Sequence, residues 1–359
     1  VSISGAEQRL RPFATTSFTS ALIRPDISKP RKRNKPTSFW IDRWRRSIRH
    51  KVLLVRWFRF LWFWVPWLLV ALLALQLHPL HQRTRKLSDA VSHLSSELKK
   101  VRDEQQMPAT VLRLHRNAIC YVYAVYTLQW PQSPYVRRME RRIRVSGTGF
   151  LVAKDLIASN RHVLQPWFDD DNDAAQIRAG AKPRLEKLIA FFPGMMTPVK
   201  LGDIRVSPNH DLAVARLLDG PLPASIQPLP IATHDSNPGE PVVVVGYPLG
   251  VSTMLAKSPN TLFKRLASTK DTILVANELA AHSMIRPSAT CGHLSDMVHE
   301  KLIYDAPTAQ GGSGGPVFNS QGKVIGVNAA YIEGFSGGTI GISVDALKPL
   351  IASAEHSER

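Results

Sequence analysis

The chain has 359 residues, with 46 Lys and Arg against 28 Asp and Glu and a formal net charge of +18. That length allows one large or two medium domains with a substantial core. The charge alone suggests a nucleic-acid ligand, but its distribution argues against one. Residues 1–59 hold 15 basic and 3 acidic side chains, residues 60–107 hold 6 and 4, and residues 108–359 hold 25 and 21. The large C-terminal part is close to balanced, so no nucleic-acid partner is expected.

Residues 1–50 are rich in Ser, Thr, Pro and Arg and lack hydrophobic periodicity, so residues 1–59 read as a basic, disordered arm. Phe60–Leu77 (FLWFWVPWLLVALLALQL) carries no charge and nearly crosses a bilayer core as a helix. Its tryptophans lie near the N-terminal end, where an interfacial belt sits, and Pro66 is tolerable in a membrane helix. The twenty residues before Phe60 hold seven Lys and Arg, and the twenty after Leu77 hold three. This bias predicts a cytoplasmic N-terminus and a periplasmic or otherwise extracytoplasmic C-terminal part. Residues 1–59 also fit an organellar presequence, which would direct the protein to the mitochondrial inner membrane, facing the intermembrane space.

Residues 78–107 read as a helical stalk. Leu87, Val91, Leu94, Leu98 and Val101 follow a 4, 3, 4, 3 spacing, an apolar seam of about two heptads. A self-associating stalk that forms a homo-oligomer and a lone amphipathic helix both fit it. Pro108 is expected to end the helix.

From about Ala109 the pattern becomes β. Ala118–Trp130, Ile143–Val152, Leu212–Leu218, Pro241–Pro248 and Lys323–Ile332 are rich in Val, Ile, Tyr and Phe and are separated by Gly, Pro, Asn and Asp. Many short strands with turn signals predict a barrel or sandwich. Residues 165–190, which include Asp169–Asp173 (DDDND), and the helical, basic residues 254–286 interrupt the scheme and are expected to be insertions at a rim. Cys120 and Cys291 lie in or beside strand-like runs. Two buried free thiols are expected, with a single bridge as the alternative.

Ser313 sits in QGGSGGPVFN, among four glycines. The stretch alone reads equally as a turn. It also fits the G-x-S-x-G elbow, in which the base follows the serine, but the only histidine after Ser313 is His356, in a polar tail. In the order His, Asp, Ser the set is complete: His162 where an apolar run ends (LIASNRHVL), Asp211 where another begins (NHDLAVARLL), then Ser313.

The blocks GTGFLVAKDLIASNRHVL, HDLAVARL, VVVVGYPLG and YDAPTAQGGSGGPVFNSQGKVIGVN together resemble the trypsin-like serine proteases, and their HtrA/Deg branch most, over roughly residues 110–350. The resemblance implies a mainly β fold of two six-stranded antiparallel barrels, here preceded by a single transmembrane helix and a short stalk. Residues 108–359 would then form the protease domain. It implies His162 as general base, Asp211 as its orienting acid, Ser313 as nucleophile, and the N–H groups of Gly311 and Ser313 as an oxyanion hole. The substrate pocket is expected between Pro307, Thr308 and Ala309 on one side and Asn328, Ala329 and Ala330 on the other. Pro307 stands where trypsins keep an acidic pocket base, so cleavage after small or medium aliphatic residues is expected. Gly312 precedes the serine where digestive trypsins have Asp, so activation by a freshly cut N-terminus is not expected. The chain stops at Arg359, so a following PDZ domain is not expected either.

Cys291, His293, His299 and His282 match no zinc-ligand spacing, and DDDND lacks the glycine and distal Glu of a calcium loop. No phosphate loop or dinucleotide fingerprint appears, so no cofactor and no metal are expected. The expected function is membrane-anchored serine endopeptidase acting on proteins or peptides outside the cytoplasm, in quality control or regulated proteolysis. The alternative is a non-catalytic module of the same fold that holds a protein partner.

Overall fold

The computed structural model describes residues 39–130, 141–168, 171–233, 236–331 and 338–356, with the backbone alone for residues 39–56, 58, 59 and 141. The expected arm is therefore outside the described residues up to position 38. The chain divides into two compact units, Val1–Ser88 and Asp89–Arg359.

Helix α1 (Phe39–His115) runs for 77 residues and crosses that division. It begins inside the stretch expected to be a disordered arm. From Phe60 it is long and apolar enough to cross a membrane, by length and composition, with mean hydropathy 2.0 over its most apolar window. Its side chains from Phe60 to Leu77 are all exposed. The seam residues Leu87, Val91, Leu94, Leu98 and Val101 are exposed as well.

Pro108 does not end the helix, contrary to expectation. Met107 and Val111, on either side of it, are buried in the main core. Burying two such side chains stabilises by about 3–6 kcal/mol, enough to offset the roughly 3 kcal/mol cost of a proline inside a helix. After a single 3₁₀ turn (Arg116–Ala118) the chain enters the β structure.

Twelve strands form two closed barrels. The first comprises β1 (Ile119–Gln129), β2 (Arg141–Ala153), β3 (Leu156–Ser159), β4 (Lys182–Phe191), β5 (Val199–Val206) and β6 (Ala213–Leu217). The second comprises β7 (Pro241–Gly246), β8 (Ser288–Val298), β9 (Lys301–Tyr304), β10 (Pro316–Phe318), β11 (Val324–Tyr331) and β12 (Thr339–Ser343). The spatial orders are β1-β2-β3-β6-β5-β4 and β7-β8-β9-β12-β11-β10, so the second barrel repeats the path of the first. All the paired strands are antiparallel. Strand β1 is buried on both faces from Ile119 to Leu128, which is why it reads as an unbroken apolar run rather than an alternation.

Residues 165–190 are not a rim insertion. Part of the stretch is β4, which pairs with β1 along nearly its whole length. The exposed Lys182, Arg184 and Lys187 obscure it in the sequence, because only its last four residues are continuously buried. Of the acidic cluster, Asp169 and Asp170 lie outside the described residues; Asp171–Asp173 open helix α3 (Asp171–Arg178), and Asp173 is fully buried and accepts a hydrogen bond from the Tyr126 hydroxyl.

The 254–286 region is helical as expected, but broken. After α2, a single turn at Arg161–Leu164 that follows β3, the region supplies α4 (Val251–Ala256), α5 (Asn260–Leu266) and α6 (Thr272–Ala281). The Asp271 carboxylate caps α6 by accepting the Ile273 N–H at 3.1 Å. Met254, Leu262, Leu266, Val275 and Leu279 enter the main core, so the helices are part of the packing. Helix α7 (Val344–His356) closes the domain and buries Leu347 and Leu350.

Cys120 is buried and Cys291 exposed, and both are free thiols. The expectation of two buried thiols fails for Cys291. Strand β8, which carries it, is mostly solvent-facing, whereas β1 is enclosed on both sides. Burial pushes the Cys120 thiol pKa far up.

Candidate active site

His162 lies in α2, three residues past the end of β3. Asp211 lies between β5 and β6, just before Ala213. Strands β3 and β6 are paired, Ser159 opposite Ala213, and this register brings the two residues together. The Asp211 carboxylate serves His162 twice. Oδ1 accepts the His162 backbone N–H at 2.9 Å, and Oδ2 sits 2.7 Å from Nδ1. An ionised carboxylate only accepts, so the ring proton belongs on Nδ1 and the Nε2 lone pair is left free. Both side chains are about three-quarters buried, with 22% and 25% exposed. Asn160, fully buried, donates from Nδ2 to the Asp211 carbonyl at 2.8 Å and holds the acid's backbone as well.

Ser313 lies between β9 and β10. His162 and Ser313 thus occupy equivalent connections, the third to fourth strand of each barrel. The serine loop is held across the barrel boundary by Thr148 of β2. Thr148 N donates to the Ser313 carbonyl at 2.8 Å, and its hydroxyl donates to the Gly311 carbonyl at 2.8 Å. The same hydroxyl accepts from Tyr247 N at 3.0 Å. The Ser313 hydroxyl donates to the Ala329 carbonyl at 3.1 Å. Among the described hydrogen bonds, none joins it to the His162 ring.

Two of the four glycines around Ser313 are required by backbone geometry. Gly311 has φ +91°, and a Cβ there would lie 2.7 Å from the Tyr247 carbonyl. Gly314 has φ +83°, and a Cβ would collide with the Thr148 carbonyl and the Ser159 hydroxyl. The Gln310 carbonyl accepts from Leu249 N at 2.7 Å. In a planar trans peptide this turns the Gly311 N–H to the opposite side. Among the described residues, neither the Gly311 nor the Ser313 N–H has a protein acceptor.

The expected pocket residues are split. Asn328 is buried, and its amide nitrogen donates to Thr308 Oγ1 at 3.1 Å and to the Gly312 carbonyl at 2.9 Å. Thr308, Ala309 and Ala329 are half-buried, and Ala330 is exposed. Pro307 instead lines a groove of about 510 Å³ with Val101, Met107, Val242 and Cys291. Asp305 faces the same groove, its carboxylate accepting the His293 N–H at 2.5 Å. His293 pairs with Glu104 of α1 at 2.8 Å, and His282 lies by Arg265 at 3.1 Å. Among the described residues, no three metal-ligating side chains gather.

Thr148 and Asn160 were not singled out from the sequence. The signal for Thr148 is its place between two glycines inside a strand, a pattern that marks close backbone approach. Asn160 has no comparable signal, because its role exists only once β3 and β6 are paired.

The description "trypsin-like peptidase domain" fits residues 147–327, just over half the chain. Among curated proteins, the chain is 28% identical over 211 residues to a "probable periplasmic serine endoprotease DegP-like" of Chlamydia trachomatis, a match covering 57% of this chain and 32% of that protein. It is 29% identical over 211 residues to a protein of the same description from Chlamydia pneumoniae, covering 58% and 33%. The chain thus spans about a third of the length of these relatives. Among solved structures, the serine endoprotease from Yersinia pestis matches with a TM-score of 0.42 at 19% identity, over 70% of this chain and 67% of that one. The matched segment starts at the strand that grips the serine loop and takes in His162, Asp211 and Ser313, and by it the chain belongs to the trypsin-like peptidase family.

Proposed function

We propose that the protein is a serine endopeptidase of the HtrA type. The observation that carries the reading is the His162 ring held at 2.7 Å by Asp211, together with a serine loop whose Gly311 and Ser313 N–H groups have no acceptor among the described residues. In the proposed reaction the Ser313 hydroxyl attacks the substrate carbonyl carbon while His162 Nε2 takes its proton. The carbonyl oxygen becomes an oxyanion that accepts from the two N–H groups. Collapse expels the amine, which takes the proton from His162, and water then releases the acyl group by the same steps. Asp211 fixes the ring tautomer and stabilises the imidazolium. Before attack, the Ser313 hydroxyl must leave the Ala329 carbonyl and turn to His162.

Phe60–Leu77 of α1 is proposed as a membrane anchor, with the N-terminal side cytoplasmic and the barrels extracytoplasmic. The support is the length and hydropathy of the segment, the seven-to-three basic bias, and the word periplasmic in the description of the relatives. The substrates are then proteins or peptides outside the cytoplasm, in quality control or regulated proteolysis. The exposed seam from Leu87 to Val101 suits pairing with further copies of the chain.

A second reading, a non-catalytic module that binds a protein partner, draws on the Ser313 hydroxyl being bonded to Ala329 and not to His162. A fluorophosphonate probe separates the two. Covalent labelling that disappears in Ser313→Ala supports the enzyme; no labelling of the folded wild-type chain overturns it. A reporter active only beyond the membrane, fused after the domain, tests the topology, and a silent reporter reverses it.

A further inference from the structure

Asn328 is a buried polar residue in the middle of a barrel strand. It is 1% exposed, and such a side chain is costly unless its hydrogen bonds are met. Its Oδ1 accepts the Tyr304 hydroxyl at 2.7 Å. Its Nδ2 donates to the Gly312 carbonyl at 2.9 Å and to Thr308 Oγ1 at 3.1 Å. A carbonyl oxygen can only accept, so the nitrogen must be the atom facing Gly312, and partner chemistry alone determines which way the amide is turned. Tyr304 is fully buried in the core of the second barrel, so the hydroxyl that holds the amide is itself fixed.

The backbone of Asn328 grips the same loop. Its carbonyl accepts from Gly314 N at 2.8 Å, and its N–H donates to the Gly315 carbonyl at 2.8 Å. The side chain adds a third hold, on the peptide between Gly312 and Ser313. That peptide is planar, so pinning its oxygen also sets the direction of the Ser313 N–H on the opposite edge. The peptide is closely packed: a Cβ at position 312 would press on Thr308 Oγ1 and lie 3.0 Å from the Ala309 carbonyl. The Gly315 N–H also reaches the Gly312 carbonyl, at 3.1 Å, so two donors from opposite sides of the loop converge on one oxygen.

We propose that Asn328, held by Tyr304, is a positioning residue that aims the Ser313 N–H into the oxyanion hole through the Gly312 carbonyl. The proposal rests on the reading of Ser313 as nucleophile. It gives Asn328 a part in turnover, beyond forming a pocket wall. Losing an oxyanion donor outright costs on the order of 10²–10³ in kcat, and a misaimed donor costs part of that.

The test is Asn328→Asp in the full chain, assayed on a peptide ester alongside wild type across pH. In this variant an oxygen faces the Gly312 carbonyl. When ionised it repels that carbonyl; when protonated it can donate to it. The expected result is a kcat lowered about tenfold or more near neutral pH with KM little changed. The ratio of variant to wild-type kcat should climb as pH falls. A ratio flat across pH, or a raised KM with unchanged kcat, overturns the proposal. If the Asp variant does not fold, Tyr304→Phe serves, because it frees the amide to turn; a smaller kcat loss at constant KM supports the proposal, and unchanged kcat overturns it. Fluorophosphonate labelling of the wild type keeps the two failures apart. A wild type that labels with a flat ratio removes only the role of Asn328, and a wild type that does not label removes the nucleophile and this proposal with it.

Discussion

The two barrels follow the same strand path but differ in how they are built. The first has a long strand, β1, enclosed on both faces, and most of its core is continuous with the α4–α6 helices and α7. The second has a strand of only three residues, β10, and a separate cluster that includes Val242, Leu294, Tyr304 and Val317. The first positions its pair, His162 and Asp211, through strand register and a carboxylate that binds both backbone and ring. The second positions Ser313 through hydrogen bonds to a glycine-rich loop, and part of that grip comes from Thr148 of the first barrel. In its proposed role Ser313 presents both its hydroxyl and its own N–H, and the positive φ of Gly311 and Gly314 curls the backbone around it. The loop is therefore held by buried polar contacts, where each unmade bond is costly.

The largest expected effect tests whether both barrels share one site. Ser313→Ala and His162→Ala should each lower turnover by on the order of 10⁴–10⁶, although they lie in different barrels. Asp211→Asn should cost on the order of 10⁴, because the amide favours the wrong ring tautomer. Steady-state kinetics on a peptide substrate checks all three, and full activity in His162→Ala would detach the first barrel from the chemistry.

Next in size is selectivity, a property expected of the second barrel alone. Asp305 is turned to β8 and the side chains of the proposed pocket carry no charge, so a buried Lys or Arg would lack a counter-charge, at a cost of several kcal/mol. A peptide-library digest should yield cuts after Val, Ala, Ile or Leu, with loose choice among them, since one methylene contributes only about 1–3 kcal/mol. A dominant cut after Arg would show that an acid reaches the pocket.

Thr148→Val removes the cross-barrel hydroxyl at nearly constant volume. It leaves the Gly311 carbonyl and the Tyr247 N–H without that partner, and each buried orphan costs about 1–3 kcal/mol. Denaturant unfolding should show the loss, and acylation by the probe should slow along with it. Slower acylation at unchanged stability would mean that the hydroxyl serves only the loop.

The smallest effect concerns His115, at the end of α1, which stacks on Phe318 of β10 with ring centroids 5.2 Å apart. Burial lowers its pKa, and a hydrogen bond donated by the ring to the Gly322 backbone only partly opposes this. The unfolded chain then binds the proton more readily than the folded one. Stability is complete above the ordinary value of 6.5 and declines as pH falls through it toward the folded-state pKa. Unfolding followed between neutral and mildly acidic pH should show a shallower slope for His115→Gln; an unchanged slope would assign the dependence to another group.

Much of this architecture is legible in the residues themselves. Composition separates a basic N-terminal part from a balanced one, because charge is additive and needs no fold to be counted. The five apolar runs read as strands became β1, β2, β6, β7 and β11 within a residue or two, since β-branched and aromatic residues pack well on pleated surfaces. The order His162, Asp211, Ser313 stands out because each side chain has a chemistry that few others can replace. What the residues could not convey depends on partners distant in the chain. Strand β4 looked like an insertion because its first half faces solvent, and only its pairing with β1 identifies it as a barrel strand. Pro108 looked like a helix end because the burial of Met107 and Val111 is invisible locally. Cys291 looked like Cys120 until the open face of β8 separated them. The hold on the serine loop by Thr148 and Asn328 was decided by the tertiary structure: the glycines beside Thr148 signal a close backbone approach without saying to what, and only the folded barrels bring Gly311 and Gly312 to these side chains.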